Sequence, residues 1–309
     1  MENPALECDS SLSKFSVRCA NSLEDFSPVF DYMVKEGWPT AVGDVEAFYA
    51  IDPSGCFVGE LDGKKIAFLS TLKYPEEKIC VDGQFVVDPA YRGKGYGREM
   101  MHFSSKTFPG DYNRGGDSVL NMTQTYEKYW GYKDCGWLIN RYIVQVVNIP
   151  NTEVPANINL QPIKGFDCEE LCKYEEKVIG LHRKSFMKKW INLPGRYGWV
   201  AVSQGQSIVG YVVCRPIESS SHAIAPLYAN NPDIASCLLS KAATTALDGN
   251  SKVLTFSVDV PTPNDQAVKL MKNELKGSLK RVFNRMFSKG LPPNVAPNKI
   301  FCVASTDVL

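Results

Sequence analysis

The sequence of 309 residues lacks the signals of several protein classes. It holds only three histidines and no C-x-x-C pair, so it offers neither the ligands nor the spacing of a zinc site. Its net charge is zero, which gives no electrostatic basis for binding nucleic acid or an anionic membrane surface. No apolar run approaches the ~20 residues that a membrane-spanning helix requires. We therefore expect no metal, no nucleic-acid partner and no membrane partner.

The first residues and the cysteines predict the cellular compartment of the protein. The start, MENPALECDSSLSKF, contains neither the basic nor the apolar segment of a signal peptide. Ten cysteines are scattered along the chain without a pairing pattern, which is typical of reduced thiols. The expected location is the cytoplasm or the nucleus.

Residues 84–97, QFVVDPAYRGKGYG, combine a strand, a glycine-rich turn and the start of a helix. Backbone N–H groups unobstructed by Cβ atoms, together with the unpaired amides of a first helical turn, attract anions. The stretch therefore predicts a phosphate-binding loop. No Walker string G-x-x-x-x-G-K-[ST] occurs, and the third glycine of the Rossmann fingerprint is missing after Gly97.

The string V-V-D-P-x-Y-R-G-K-G-Y-G resembles the pyrophosphate loop of the GNAT superfamily of acyl-CoA-dependent N-acyltransferases. Arg92, Gly95 and Gly97 match its R-x-x-G-x-G core. The resemblance implies that loop amides hold the pyrophosphate of CoA and that free N–H groups of the preceding strand meet the thioester. The CoA-binding residues that it implies are Phe85, Val86, Val87, Arg92, Gly93, Lys94, Gly95, Tyr96, Gly97 and, after the next strand, Asn121.

The first half of the chain shows the element order of the GNAT fold. Hydrophobic patterning and turn residues predict alternating strands and helices. The predicted elements are a strand at 14–19, helices at 23–36 and 44–51, a hairpin at 56–70, a strand at 79–87, a helix ending near 107, a strand at 117–122, a helix at 124–130 and a strand at 141–147. We expect an α+β fold with a mixed α/β sheet.

The second half repeats the first in weakened form. Residues 198–215 have the hairpin pattern of 56–70, and residues 223–229 parallel 86–92 as a strand broken by proline with tyrosine two residues later. The following segment, ANNPDIA, lacks glycine, so only the first copy is expected to hold CoA. We predict two tandem GNAT-like domains, residues 1–148 and a degenerate copy at 163–309, joined by a proline- and asparagine-rich linker at 149–162.

The resemblance also implies a proton donor for the leaving thiolate. Many family members use a tyrosine in a Y-x-x-x-G-[FY] string. Gly131 and Tyr132 end such a string here, but Glu127 stands at the tyrosine position, so the candidate donor is Tyr126, one residue earlier. Candidate general bases are carboxylates before the loop, with exposed loop carboxylates as the competing interpretation: Asp82, Glu76 and Glu77.

The expected function is that of an acetyl-CoA-dependent N-acetyltransferase, which moves the acetyl group directly from the thioester to an amine. The acceptor is left open between a small molecule and a peptide amine. The alternative is a non-enzymatic acyl-CoA-binding module whose second domain binds a partner, because the tyrosine is displaced and no clear base is present.

Overall fold

The structure, a computed structural model, describes residues 14–108, 110–250 and 252–308. These residues form one mixed sheet of 13 strands, with helices packed against it. The strands are β1 Phe15–Cys19, β2 Cys56–Leu61, β3 Lys64–Tyr74, β4 Ile79–Val87, β5 Asn113–Val119, β6 Lys133–Gln145, β7 Ile158–Pro162, β8 Tyr197–Ser203, β9 Ile208–Glu218, β10 Ser221–Ala229, β11 Thr255–Pro261, β12 Ser278–Phe287 and β13 Ile300–Cys302. The α-helices are α1 Leu23–Phe26, α2 Val29–Lys35, α3 Asp44–Tyr49, α4 Tyr96–Lys106, α5 Thr123–Trp130, α6 Cys168–Ile179, α7 Lys184–Asn192, α8 Pro232–Gly249 and α9 Asp265–Val268.

The strand order shows two related wings: β1 to β5 form the first, and β7 to β11 together with β13 form the second. It runs β1-β2-β3-β4-β5-β12-β6-β11-β10-β9-β8-β7, and β13 pairs with β10 off this path. β4 lies parallel to β5 in one wing, as β10 lies parallel to β11 in the other. The predicted α+β fold with a mixed sheet is confirmed.

The two halves exchange strands at the centre of the sheet. β12 of the second half lies between β5 and β6, so that Phe283 stands opposite both Val119 and Ile139. β6 of the first half pairs in turn with β11, which places Val144 opposite Phe256. Each wing is therefore completed by a strand from the other half of the chain.

Several element boundaries differ from the prediction. The helix expected at 23–36 is divided into α1 and α2, because Pro28 has no N–H to continue the helical hydrogen bonds. The strand expected at 117–122 is β5, which ends at Val119 where a 3₁₀ turn begins. The strand expected at 141–147 begins earlier, at Lys133. The last part of the predicted linker, Ile158–Pro162, forms the edge strand β7.

The strand that was expected to break at Pro226 instead continues to Ala229 as β10. Proline cannot donate to the strand ladder, and Pro226 stands where the β9–β10 register shifts, between Ile224 and Leu227. The proline therefore marks an irregularity within the strand.

One hydrophobic core joins the two halves. Phe48 of α3 stacks on Phe186 and Trp190 of α7, with ring centroids 6.3 and 5.7 Å apart. The buried Trp190 indole donates a hydrogen bond to the Ala225 carbonyl at 2.7 Å. Fully burying a large apolar side chain stabilises the fold by roughly 1.5–3 kcal/mol. This core fixes the wings against each other.

Within the described part of the chain, we find no helix with the combined length and apolar character needed to span a membrane.

Candidate active site

β4 and β5 lie side by side only where they begin. Their parallel register joins Ile79–Val81 to Asn113–Gly115. Beyond these residues β4 stays with β3 and β5 stays with β12, so the two strands diverge. A cavity of about 120 Å³ occupies the resulting gap, against the roughly 10–15 Å³ that one water needs. Its walls include Asp82–Phe85 of β4 and Gly116–Val119 of β5.

A bulge in β4 aims backbone donors at this gap. Gln84 has a φ of 48° and stands where the β3–β4 register shifts. The Asp88 N–H donates to the Ile66 carbonyl at 2.8 Å, and N–H directions alternate along an antiparallel strand. The N–H groups of Phe85 and Val87 therefore point away from β3, toward the side where β5 has diverged. Val86 points its N–H toward β3 instead, so only two of the three predicted strand donors face the gap.

The glycine-rich loop follows directly from this strand. A 3₁₀ turn at Pro89–Tyr91, capped by the Asp88 carboxylate on the Ala90 N–H at 3.0 Å, leads into residues 92–95 and then α4. Gly93 and Gly95 have φ values of 77° and 91°, which L side chains rarely adopt. A Cβ at either position would meet no atom within 4 Å. The loop thus leaves open space above its backbone at the start of an 11-residue helix.

The charged side chains of the loop have different roles. Arg92 donates from Nε to the Val87 carbonyl at 2.8 Å and forms an ion pair with Glu36, so it braces the loop against β4 and α2. The exposed Lys94 ammonium lies 5.6 Å from the centroid of the Tyr91 ring. Lys94 forms no ion pair with a described residue, so its charge is available to a phosphate.

α5 carries Tyr126 to the cavity. Its ring lies parallel to that of Tyr132, with centroids 5.9 Å apart. Gly131, at a φ of 67°, ends the helix and turns the chain toward Tyr132. The Tyr132 hydroxyl donates to Asp82, whereas the Tyr126 hydroxyl has no hydrogen-bond partner among the described residues. Burial and the nearby Asp82 charge raise the pKa of Tyr126, so this phenol keeps its proton at neutral pH.

Asp82 lies in the same cavity but is fully engaged. Arg114 donates from Nε to both carboxylate oxygens at 3.1 Å. Thr71 donates to Oδ1 at 2.6 Å, and Tyr132 donates to Oδ2. These bonds suit a group that positions Tyr132 and Arg114 better than one that collects a proton.

Two family models match the chain. Residues 20–111 match the acetyltransferase (GNAT) family, and residues 171–302 match an acetyltransferase (GNAT) domain. Together these matches span more than half of the chain. The chain belongs to the GNAT family. It is a tandem member with two GNAT domains, and the family is one of acyltransferases.

Relatives and solved structures agree with this assignment. A holothin acyltransferase of Pseudoalteromonas sp. (strain SANK 73390) is 26% identical over 289 residues, which cover 93% of this GNAT protein and 92% of the relative. A structure of a candidate acetyltransferase from Pyrococcus horikoshii has a TM-score of 0.73 at 16% identity and covers 99% of both chains. A tandem GNAT protein from the clavulanic acid biosynthesis pathway has a TM-score of 0.65 at 14% identity, over 89% of this chain and 98% of its own. These structures show a shared fold.

A carboxylate that the sequence did not single out completes the cavity of the GNAT protein. Asp307, in the segment after β13, accepts hydrogen bonds from the Gln84 N–H at 2.9 Å and from the Ser305 hydroxyl at 3.1 Å. Gly83 makes room for this segment, because a Cβ there would lie 2.8 Å from the Asp307 Cα. Burial raises the pKa of Asp307 above the ordinary value of 3.8. No motif marks the ending VASTDVL, so only the fold could place this residue in the site.

The remaining predicted residues lie at or beyond the rim. Asn121 is exposed in the 3₁₀ turn Leu120–Met122 between β5 and α5. Tyr96 begins α4, with its ring centroid 4.5 Å from that of Phe15. Gly97 allows α4 to approach β4, since a Cβ there would lie 3.3 Å from the Phe85 ring. Among the described residues, no group of three or more His, Cys, Asp or Glu side chains could hold a metal ion.

Proposed function

We propose that the GNAT protein transfers an acetyl group from acetyl-CoA to an amine. The observation that carries this proposal is the continuity of β4 with the open glycine loop. One strand leads from backbone donors at the gap, Phe85 and Val87, to the loop at Gly93–Gly97. A molecule with a pyrophosphate at one end and a thioester at the other fits such a path.

The loop fits CoA as the resemblance implies. Gly93 and Gly95 leave their surroundings free of side chains, and the first amides of α4 follow at Tyr96 and Gly97. Unpaired N–H groups at a helix start favour an anion in this position. Lys94 adds an exposed positive charge beside them.

The residues at the gap match the needs of acyl transfer. Acetyl-CoA supplies an activated carbonyl, whose carbon bonds to the amine nitrogen as its bond to sulfur breaks. The N–H groups of Phe85 and Val87 stabilise the negative charge that develops on the carbonyl oxygen. Tyr126 gives its proton to the sulfur, and Asp307 takes a proton from the amine nitrogen. The raised pKa of Asp307 brings its proton affinity closer to neutral pH. Asp82 is held in an ion pair with Arg114, whereas Asp307 has no ion pair among the described residues, which favours Asp307 as the base.

The named relative favours catalysis over binding alone. It covers nearly the whole GNAT protein and is named for acyl transfer to holothin. We therefore place the non-enzymatic acyl-CoA-binding module second.

Purified protein mixed with acetyl-CoA and a panel of small amines tests the proposal, with release of free thiol as the measurement. We expect thiol release that depends on the amine. Tyr126→Phe should lower kcat by about 100-fold or more with little change in acetyl-CoA affinity, because a positioned acid contributes roughly 10²–10⁴-fold. Tight acetyl-CoA binding without turnover of any amine would favour the binding module instead.

A further inference from the structure

Two buried arginines of the GNAT protein share a single carboxylate. Arg196 and Arg215, both from the second half, each form an ion pair with Asp44 at the start of α3. The three side chains are 1%, 6% and 2% exposed. Neither arginine forms a second ion pair with any described residue, and Glu46 nearby is exposed to solvent. The cluster therefore carries one positive charge in excess, away from water.

The excess charge comes with unused hydrogen-bond donors. Nε and Nη1 of Arg196 and Nε of Arg215 are buried without a partner, and so is the hydroxyl of Thr40. The Arg196 guanidinium carbon lies 3.6 Å from the Trp190 ring centroid, a contact that leaves the in-plane N–H groups free. A buried unpaired donor costs about 1–3 kcal/mol, and more when it is charged. Burial, with Arg215 as a further cause, lowers the pKa of Arg196 to about 10 despite Asp44.

This cluster stands between two cavities. Thr40, Asp44 and Arg215 line the catalytic gap. Thr40 and Arg215 also line, with Arg196, a larger groove of about 780 Å³ beside the C-terminal end of α8. An anion could therefore approach Thr40 and Arg215 from the gap or from the groove, and Arg196 from the groove only. Once bound, it would bring two positive charges into balance with two negative ones.

We infer that the acceptor amine also carries a carboxylate, which Arg215 binds with the help of the Thr40 hydroxyl, next to the buried Arg196. This inference rests on the proposed acetyl transfer. The same gap offers acceptors for an ammonium group, namely the Asp307 carboxylate and the unpartnered Oε1 of Gln84. A cavity lined by Arg215 and Thr40 as well as by Asp307 and Gln84 offers partners for both charged groups of a small amino carboxylate.

Matched acceptor pairs test the inference. Each α- or ω-amino carboxylate is compared with the carboxamide of the same carbon skeleton, and kcat/KM is measured for both. We expect the carboxylate to be preferred by about tenfold or more, since hydrogen bonds to charged groups contribute about 1.5–3 kcal/mol. Arg215→Gln should bring this ratio close to one, mainly through the KM of the carboxylate, and Arg215→Lys should keep part of it. A ratio near one in the wild type, or a ratio that Arg215→Gln leaves intact, would overturn the inference.

A binding measurement separates this inference from the proposed transfer. The melting temperature is recorded without any acyl donor, in the presence of amino carboxylates, their carboxamides, inorganic phosphate or sulfate. Stabilisation by amino carboxylates in the wild type but not in Arg215→Gln supports the site, even if no amine is acetylated and the transfer itself fails. Turnover of amines without any carboxylate preference leaves the transfer standing and overturns the site. Equal stabilisation by phosphate and sulfate, without a carboxylate preference in turnover, overturns the assignment to the acceptor.

Discussion

The two wings of the GNAT protein differ in the space beside their parallel strands, which is open in the first wing and filled in the second. In the first, β4 and β5 part after Ile79–Val81, and the space between them stays open as the cavity of the proposed active site. In the second, β10 and β11 pair over Ser221–Ile224, and β13 then takes the place beside Leu227 and Tyr228 of β10. A short added strand thus fills the space where a substrate would enter.

The loops after the two strands differ as much. Residues 88–95 separate β4 from α4, whereas only residues 230 and 231 separate β10 from α8. The Asn231 side chain accepts a hydrogen bond from the Ile234 N–H at 3.0 Å, and Pro232 has no N–H. The start of α8 is therefore capped by the Asn231 side chain, whereas Gly95 leaves the start of α4 without a side-chain cap. This contrast supports one CoA site for each chain.

The second half nevertheless builds part of the first site. It supplies Phe283 and Met286 of β12, Arg215 of β9 and the segment Ser305–Asp307 to the walls of the cavity between β4 and β5. In the second half β13 fills the corresponding gap, and residues of this half form a wall of the gap in the first. We therefore expect changes in either half to affect the same site, through different physical effects.

The largest expected effect is that of separating the halves. A chain ending at residue 148 lacks β12, which leaves β5 and β6 with unpaired edges and Ile139 without its partner Phe283. We expect this piece to aggregate, as measured by size-exclusion chromatography. Co-expression with residues 149–309 should restore a soluble complex. A monomeric, folded 1–148 piece that binds acetyl-CoA would show that the exchanged strand is dispensable.

The next effect concerns the open loop. Gly95→Asp places a carboxylate at the start of α4, where like charges ~4 Å apart repel by about 4 kcal/mol at a protein surface. We expect acetyl-CoA affinity to fall by about 100-fold or more, measured by calorimetry. Two controls are needed: one separates the effect of the added charge from that of backbone strain, and the other compares the same charge in the second wing. Gly95→Ala carries only the strain of a positive φ, and Asn231→Asp adds the same charge at the start of α8. Unchanged affinity in Gly95→Asp, or an equal loss in Asn231→Asp, would remove the distinction between the wings.

Local patterns in the sequence predicted the first wing better than the second. The loop at 92–97 and the family could be predicted from the sequence, because the spacing of glycines reflects a requirement of the local backbone. The strand exchange could not, since the alternation in β12 predicts a strand but says nothing of its partners, some 160 residues away at β5 and 140 at β6. Pro226 predicts a break in its strand, whereas the register irregularity that accommodates it within β10 depends on tertiary pairing with β9.

The site residues divide in the same way. The displaced Tyr126 could be proposed from a motif, and the structure places it at the cavity. Asp307, Arg196 and Arg215 carry no local signal, because their roles arise from contacts across more than 150 residues of sequence. Long-range contacts of this kind are set by the packing of the two wings.

Asp307 gives a prediction with a pH dependence. A base whose pKa is raised must lose its proton before it can act, so kcat/KM should rise with pH through a limb that lies above the ordinary aspartate value of 3.8. Asp307→Asn should lower kcat/KM by about 100-fold and remove that limb. Asp82→Asn is the matched comparison, and it should chiefly lower the melting temperature, because it disrupts the ion pair with Arg114. Loss of the limb in Asp82→Asn alone would make Asp82 the base.

The same carboxylate links activity to stability. Because the pKa of Asp307 is raised in the folded state, its contribution to stability is fully present below the unfolded pKa and is lost as pH rises through the folded pKa. Near neutral pH the wild type thus bears the cost of a partly buried charge that Asp307→Asn avoids. We expect the variant to melt at the same or a higher temperature near neutral pH, with the difference shrinking in acid. If Asp307→Asn is less stable than the wild type, and by more at neutral pH than in acid, the raised pKa of Asp307 is contradicted.

The smallest expected effect tests the closed helix start of the second wing. Asn231→Ala removes the side chain that caps the Ile234 N–H, which costs about 1 kcal/mol and, for a chain of this size, lowers the melting temperature by roughly 2–4 °C. Asn231→Gly should cost only a few tenths of a kcal/mol. Acetyl-CoA affinity should not change in either variant, because only two residues separate β10 from α8, which leaves no room for a phosphate-binding loop. A second equivalent of acetyl-CoA bound by Asn231→Gly would mean that the side chain alone, and not the short loop, keeps the second wing closed.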